Sequence, residues 1–246
     1  MTYCVGLRLN RGLVFMSDTR TNAGMDSISI FRKMYVWEEP GERVLVLLAA
    51  GNLATTQSVV SLLDERTKAP AERSPSIMQT QSMFQTARLV GDTVKEVIEL
   101  STPAGLRADS FGASFILGGQ IKGTEPRIFM VYPEGNFIEA TDDTPFFQIG
   151  ETKYGKPIIV RAYDPAMSFA ETAKLLMVSF DSTLKSNLSV GLPLDMSVIE
   201  HNGFRISFKK RIVSDDPYYR TISDGWSQAL RIAFKSLPDF DYEPNG

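Results

Sequence analysis

Residues 1–33 read MTYCVGLRLNRGLVFMSDTRTNAGMDSISIFRK, and this stretch decides the fold. Apolar side chains alternate with others on both sides of a turn at 10–12, at Val5, Leu7, Leu9, Val14 and Met16. Such alternation around a glycine-containing turn predicts a β-hairpin. The hairpin brings Thr2, at the start of its first strand, close to Asp18, at the end of its second. Lys33 follows after a short loop, so a hydroxyl, an acid and an amine are expected to meet.

Thr2 is a candidate nucleophile because of its place beside the chain terminus. A threonine hydroxyl is weak at neutral pH and needs a base. A free α-amine on the same residue can serve, since its unperturbed pKa is about 7.7–8.0. We therefore expect Met1 to be removed, which methionine aminopeptidases do before a small residue such as threonine. We also expect no longer leader, since neither an apolar signal region nor an Arg/Ser-rich transit sequence precedes Thr2.

Lys33 and Asp18 fit the same chemistry. A buried Lys33 would lower the proton affinity of the threonine hydroxyl, and Asp18 would hold that lysine in place and charged. Each residue taken singly also has an ordinary interpretation, as a strand threonine, a strand-end aspartate or a surface lysine. The residues alone leave both interpretations open.

Four segments in order from the N-terminus carry a family resemblance. They are Met1-Thr2, residues 17–22 (SDTRTN), residues 32–34 (RKM) and residues 49–52 (AAGN). In this order they resemble proteasome β-type subunits of the N-terminal nucleophile hydrolase superfamily, most of all the bacterial Anbu family (ancestral β subunit). The resemblance extends to about residue 210. It implies an α+β fold, a four-layer αββα sandwich, and a threonine peptidase that needs no cofactor and no metal.

The resemblance also implies roles for particular residues. Gly51 matches the glycine whose backbone N–H binds the oxyanion, and Ser189 matches a serine that orients the terminal amine. Arg20 and Asn22 match positions that border the substrate cleft, Asn22 through backbone hydrogen bonds to an extended peptide.

Two positions depart from the family pattern. Ser186 stands where an aspartate is expected, and Glu151 stands where a serine is expected in the turn at 150–155. Loss of the acid at Ser186 should leave the amine more often neutral. Whether Glu151 replaces the serine contact or points to solvent is left open.

The same residues are also compatible with functions other than peptide hydrolysis. The departures at Ser186 and Glu151 fit divergence to a non-proteolytic amidase or acyl-transfer enzyme on small peptide-like amides. A catalytically silent self-assembling scaffold is a further alternative. The resemblance implies a large homo-oligomer, a ring or a lock-washer helix, with no companion α-type subunit. The substrate, whether peptide or small amide, and any regulator stay open.

Composition excludes several other classes. The chain has 246 residues, 43% of them hydrophobic, and a net charge of −3 without a single-sign block, so neither nucleic acid nor a membrane surface is expected as a partner. Its apolar runs fall short of the roughly 18 residues that span a bilayer. The single cysteine, Cys4, excludes an internal disulfide and favours a reducing, cytoplasmic location. The single histidine, His201, lies in a predicted turn, which argues against a Ser-His-Asp triad and a histidine zinc site.

The remaining pattern predicts one domain over residues 1–246. Helices are expected from Leu53 to about Arg66, from Ser76 up to Pro103, after the cap Ser168, and as a C-terminal extension over 216–238. Strands are expected at 112–119, 127–132, 137–139 and 146–149, which we assign to a second sheet. A last hairpin is expected at 196–199 and 203–208, with a solvated basic run at 209–211.

Overall fold

Two five-stranded antiparallel sheets form the centre of the computed structural model, which describes residues 1–22, 28–68, 75–102 and 108–242. The first sheet has the order β10-β1-β2-β11-β12. Its strands are β1 (Tyr3–Leu9), β2 (Gly12–Asp18), β10 (Phe146–Gly150), β11 (Leu194–Glu200) and β12 (Phe208–Ile212). The second sheet has the order β5-β6-β7-β8-β9. Its strands are β5 (Met34–Glu39), β6 (Arg43–Gly51), β7 (Ala113–Ile121), β8 (Arg127–Val131) and β9 (Phe137–Glu139).

Helices cover the outer faces of both sheets. They are α1 (Leu53–Lys68), α2 (Met83–Ser101), α3 (Lys156–Ala162), α4 (Phe169–Ser186) and α5 (Pro217–Lys235), with a single 3₁₀ turn at Ala108–Phe111. A two-stranded ribbon of β3 (Arg20–Asn22) and β4 (Ile28–Ile30) completes the described elements. One apolar core lies between the sheets, a second under α1 and α2, and a third under α3, α4 and α5. This arrangement confirms the predicted αββα sandwich.

The predicted N-terminal hairpin is present, and it brings the two ends together as expected. Cys4 pairs with Ser17 and Leu9 pairs with Gly12 across the β1–β2 ladder. Gly12 has a φ of +142°, and a Cβ there would lie 2.0 Å from the Ile199 carbonyl oxygen, so the turn needs glycine. The Tyr3 N–H donates to Asp18 Oδ1 at 3.0 Å, which fixes Thr2 beside Asp18.

The assignment of 146–149 to the second sheet was wrong. β10 pairs with β1 in the first sheet, with Tyr3 opposite Gly150. A turn in which Thr141 N–H bonds to Thr144 O carries the chain across from one sheet to the other. Helix α3, which follows this strand, was not predicted, because only Ile159 of its seven residues is buried and its apolar pattern is too short.

The prediction that a helix begins at Ser76 was also wrong. The hydroxyl of Ser76 accepts the N–H of Met78 in a local turn, and the carbonyl of Ser76 accepts the N–H of Gln79. The helix begins at Met83, where Ser82 is the N-cap and accepts the Gln85 N–H. The expected apolar face of the helix is correct, since Met83, Ala87, Val90, Val94 and Val97 are all buried. Pro103, where we expected it to stop, lies outside the described residues.

The last strand is shifted relative to its prediction at 203–208. It begins at Phe208, because Phe204 has a φ of +47° and the N–H of Ile206 is taken by the Glu38 carboxylate. The basic run at 209–211 therefore lies within edge strand β12 rather than beyond a strand end. Charged side chains on an edge strand discourage pairing with another chain.

Helix α5 ends at Lys235, before Pro238. Its first turn packs on the chain's own core, with Tyr219 buried and Ile222 partly buried. The apolar face of α2 is likewise buried under the second sheet. The sequence suggested these two apolar faces as surfaces for assembly, with burial inside one subunit as the alternative, and the packing supports that alternative for α2 and for the first turns of α5. None of the helices among the described residues is long and apolar enough to cross a membrane.

Candidate active site

Thr2 is held by its main chain at the edge of the first sheet. Its carbonyl oxygen accepts the Glu151 N–H at 2.6 Å, and its residue is only 8% exposed. Gly150 has a φ of +84°, and a Cβ there would lie 2.0 Å from the Thr2 carbonyl oxygen. Only glycine can therefore approach Thr2 this closely.

A buried ion pair lies next to Thr2. Lys33 Nζ donates to Asp18 Oδ1 at 2.7 Å and to the Arg20 carbonyl at 2.6 Å. Asp18 is fully buried and Lys33 is 5% exposed. The second oxygen of Asp18 accepts the Gly191 N–H at 3.3 Å. Asp18 therefore accepts three hydrogen bonds, from Lys33, Tyr3 and Gly191. The two backbone donors hold the carboxylate in place, and the carboxylate in turn holds the ammonium of Lys33.

Burial and charge shift the pKa values of the groups at this edge. Burial raises the pKa of Asp18, and the Lys33 ammonium with the two backbone donors opposes that rise. Burial, followed by the charge of Lys33, lowers the pKa of the Met1 α-amine below 8.0, against the opposing effect of Asp18. An amine at this place is therefore more readily neutral near pH 7 than one in water.

The backbone of Gly51 presents an N–H toward the same place. In an antiparallel ladder successive N–H groups point to opposite sides of the strand. The Asn52 N–H bonds to Gly112 across β7, and the Ala49 N–H bonds to Lys33 on the β5 side. The Gly51 N–H therefore points to the β5 side, beyond Met34, the first residue of β5. Gly51 has a φ of +117°, and a Cβ there would lie 2.4 Å from the Gly112 carbonyl oxygen, so the position requires glycine.

These groups share a cleft of about 410 Å³. It is lined by Met1, Thr2, Thr21, Arg32, Lys33, Ala49, Ala50, Gly51, Leu53, Thr56 and Gly150. The structure thus brings together the expected nucleophile, the lysine and the oxyanion donor on one surface.

Two loops on the other side of Thr2 are joined by Glu151. Its carboxylate accepts the Asn187 side-chain amide at 2.9 Å and the Lys153 N–H at 3.0 Å. Asn187 in turn accepts the Ser189 N–H at 2.9 Å. Glu151 is 8% exposed, so the alternative that it points to solvent is wrong. The contacts that the structure gives for its carboxylate join two loops and do not include the terminal amine, so the alternative of a replaced serine contact stays a prediction.

The residues near Ser189 differ in what they contact. Ser189 is half-buried, in the turn that leads to Gly191 and so to Asp18. Ser186 is exposed, and its hydroxyl donates to the Ser182 carbonyl of its own helix. Ser189 therefore lies in the loop whose Gly191 contacts Asp18, whereas the Ser186 hydroxyl is used within its own helix.

Arg20 and Asn22 lie in the β3 ribbon. The guanidinium of Arg20 donates to the Leu188 carbonyl at 3.0 Å and packs against Gly191. Its backbone carbonyl binds Lys33. The side chain of Arg20 thus anchors the 188–191 loop. Asn22 pairs through its backbone with Ile28, and its side chain lies outside the described residues.

Cys4 and His201 play no part in this cleft. The Cys4 thiol is fully buried 3.8 Å from the Ala49 carbonyl, and burial raises its pKa. His201 lies in the predicted turn, with Nε2 3.1 Å from the Glu125 carboxylate. The sequence interpretation of both residues agrees with these positions.

Sequence reasoning missed Asn187, Gly191 and Arg32. Asn187 ends α4 and has no motif of its own, and the use of the Gly191 N–H depends on a contact 173 residues away in sequence. Arg32 could have been noted, since it is the cation next to Lys33 in the segment that carried the resemblance.

Comparison with known proteins agrees with this geometry. A model of the proteasome subunit family matches residues 2–199. The chain is 26% identical over 205 residues to proteasome subunit beta 2 of Pyrobaculum calidifontis, a match that covers 82% of this chain and 90% of that protein.

Solved structures give stronger matches. Anbu from Hyphomicrobium sp. strain MC1 is 51% identical with a TM-score of 0.90, covering 98% of this chain and 100% of that one. Anbu (ancestral beta-subunit) from Yersinia bercovieri is 48% identical with a TM-score of 0.91 and the same coverage. A structure of the helical assembly of the Anbu complex from Pseudomonas aeruginosa is 42% identical with a TM-score of 0.90, covering 97% of this chain and 98% of that one.

Proposed function

Because this chain belongs to the proteasome subunit family, in its Anbu (ancestral beta-subunit) branch, we propose that it hydrolyses amide bonds with Thr2 as nucleophile. The observation that carries the proposal is the buried Lys33–Asp18 pair, which lies beside Thr2 at the edge of an open cleft. A buried ion pair contributes little to stability compared with apolar packing, so its position next to a hydroxyl favours a chemical role.

The proposed reaction begins with attack of Thr2 Oγ1 on the substrate carbonyl carbon. The proton of the hydroxyl passes, through a water molecule, to the α-amine of Thr2. Lys33 stabilises the developing negative charge on Oγ1, and Asp18 positions Lys33. General-base assistance of this kind contributes about 10²–10⁴-fold.

The Gly51 N–H donates to the oxyanion of the tetrahedral intermediate. Donors of this type contribute about 2.7–4 kcal/mol to transition-state stabilisation in other hydrolases. The C–N bond then breaks, the protonated amine returns its proton to the leaving nitrogen, and an ester on Thr2 remains. Water attacks that ester with the same amine as base and regenerates the free hydroxyl.

The mechanism requires removal of Met1, since the nitrogen of Thr2 is otherwise part of a peptide bond. Met1 lines the cleft and is 63% exposed. Its removal would both free the amine and open the cleft to substrate.

The test compares Thr2→Ala with Thr2→Ser. Both replacements are small, so removal of Met1 proceeds in each, but only serine keeps a hydroxyl. We expect Thr2→Ala to abolish hydrolysis of fluorogenic peptides and of short amides, and Thr2→Ser to keep measurable turnover. Near-normal turnover by Thr2→Ala would end the proposal. Turnover of short amides without peptides would favour the amidase alternative, and capture of a peptide electrophile on Thr2 would exclude the silent scaffold.

We also propose a large homo-oligomer, as a ring or lock-washer helix. The last turns of α5 and the segment after it expose Leu230, Ile232, Phe234 and Leu237, each at least half exposed. An apolar surface of this kind favours burial against a partner. The related Anbu complex from Pseudomonas aeruginosa forms a helical assembly. Light scattering at micromolar concentration tests this proposal, and a stable species at the 27.3 kDa monomer mass would contradict it.

A further inference from the structure

We propose that Arg32 makes the cleft selective for substrates with a carboxylate side chain on the acyl side of the cleaved bond, such as glutamate or aspartate. The inference rests on the proposed function for the identity of the reaction. The selectivity itself is a binding property and is tested separately below.

The charges of the cleft are unequal. Two cationic side chains, Arg32 and Lys33, line it. Lys33 is neutralised by Asp18 at 2.7 Å. Among the described residues that line the cleft none carries a carboxylate, and the described part of the chain places no carboxylate within ion-pair distance of Arg32. The guanidinium of Arg32 is therefore the uncompensated charge that a bound substrate meets.

The backbone around Arg32 is fixed on each side. The Phe31 N–H donates to the Thr19 carbonyl at 2.9 Å, and the Lys33 carbonyl accepts the Ala49 N–H at 2.9 Å. The Arg32 carbonyl itself accepts the Tyr35 hydroxyl at 2.9 Å. These bonds keep the base of the Arg32 side chain at the cleft that it lines.

The floor beside Arg32 is made of small residues. Ala49 and Ala50 line the same cleft and have no polar side-chain atoms. Side chains this small obstruct little of the cleft of about 410 Å³ that Thr2 and Arg32 both line. The proposal therefore places a glutamate side chain toward Arg32 with its acyl carbon at Thr2. A guanidinium binds a carboxylate through two parallel hydrogen bonds, and a neutral amide cannot reproduce that pairing.

A second feature adds positive charge at the same edge. Arg32 also borders a hollow of about 100 Å³ that Lys209, Lys210 and Arg211 line on β12. Lys210 pairs with Asp216 at 2.7 Å and Arg211 pairs with Asp195 at 2.8 Å. The structure shows no such partner for Lys209 among the described residues. This hollow, which Asp195 also lines, therefore adds the positive charge of Lys209, unpaired among the described residues, beside Arg32, and that charge favours an anionic substrate.

The test measures binding in the Thr2→Ala protein, which cannot turn substrate over. Fluorescently labelled peptides that differ only in Glu, Gln or Lys at the acyl-side position are titrated by anisotropy. Because Arg32 is exposed to solvent, we expect Glu to bind about two- to fivefold more tightly than Gln, and Lys more weakly than Gln. Arg32→Glu should reverse the order of Glu and Lys. Arg161→Glu, the same charge change on an exposed residue outside the cleft lining, should leave it unchanged.

Equal affinity for the Glu and Gln peptides, or a preference that persists in Arg32→Glu, would overturn the inference. Turnover by the wild-type protein is scored separately. An Arg32-dependent preference without turnover supports the inference and contradicts the proposed function. Turnover without that preference supports the proposed function and contradicts the inference about Arg32.

Discussion

Gly150→Ala tests whether the position of Thr2 limits catalysis. The substitution adds one methyl group at a residue whose φ is +84° and whose Cβ would lie 2.0 Å from the Thr2 carbonyl oxygen and 2.7 Å from its carbonyl carbon. The same carbonyl oxygen accepts the Glu151 N–H. The new methyl group therefore acts on the residue that carries the proposed nucleophile.

The expected size of the effect follows from these distances. Real Cβ atoms do not approach a neighbour within 3.0 Å, so the Thr2 carbonyl has to move by about 1 Å. A misplacement of about 1 Å in a reacting group costs about 10²-fold in rate. The positive φ adds a separate cost of about 1–3 kcal/mol to the free energy of unfolding.

Gly41→Ala is a matched control for the stability cost of placing alanine at a positive φ. Gly41 has a φ of +86° and no atom within 4 Å of where a Cβ would be. Both variants should lose stability by thermal denaturation because of the positive φ, and Gly150→Ala should lose more because of its contact with Thr2. Only Gly150→Ala should lose about 10²-fold in kcat/KM with a fluorogenic peptide. Activity of Gly150→Ala within a few-fold of the Gly41→Ala level would refute this account of Thr2 positioning.

Three further outcomes are expected. Asp18→Asn and Lys33→Met should each lower kcat by at least about 10²-fold. Each should also cost about 3–5 kcal/mol of unfolding free energy, measured by denaturant titration, because it leaves a buried charge unpaired. The double variant should regain stability but not activity, and recovery of activity would contradict the assigned roles. The activity should rise with pH through a midpoint below that of a free α-amine, because burial and Lys33 lower the pKa of an amine at this edge and the neutral form is the base. A kcat/KM that falls as the pH rises through the neutral range would count against this prediction. Cys4→Ala should keep kcat, since the thiol is buried and burial raises its pKa; a loss of labelling by a peptide electrophile in that variant would make Cys4 the nucleophile instead.

Local signals made much of the fold predictable. The alternation around Gly12 defines the first hairpin, and Ser168 with Glu171 forms the capping box that begins α4. The continuous apolar run of β6 predicts a strand buried on both faces, as observed. These features are decided by neighbours within a few residues, which a sequence displays directly.

Long-range choices were less accessible. Strand β10 follows β9 closely in sequence but pairs with β1, and no residue within 146–149 distinguishes the two sheets. Ser76 and Ser82 are both plausible caps in sequence. The burial of Ile77 in the core and the hydrogen bond between Thr80 and Thr86 accompany the helix start at Met83, and neither contact can be seen in the sequence.

In the candidate site, too, the residues brought together by local structure were predictable and those brought together by long-range contacts were not. Thr2, Asp18 and Lys33 were recognisable because one hairpin and one short loop bring them together. The Gly191 N–H on Asp18 and the Asn187 amide on Glu151 come from segments far along the chain, and their roles follow from tertiary contacts alone.

The most direct test of the central proposal is intact-mass spectrometry of active protein after reaction with a peptide electrophile. The account predicts one species, with the mass of the chain lacking Met1 plus one probe, and no probe on Thr2→Ala. An active preparation whose mass still includes Met1 would contradict the mechanism, because the nitrogen of Thr2 would then be an amide and could not act as the base.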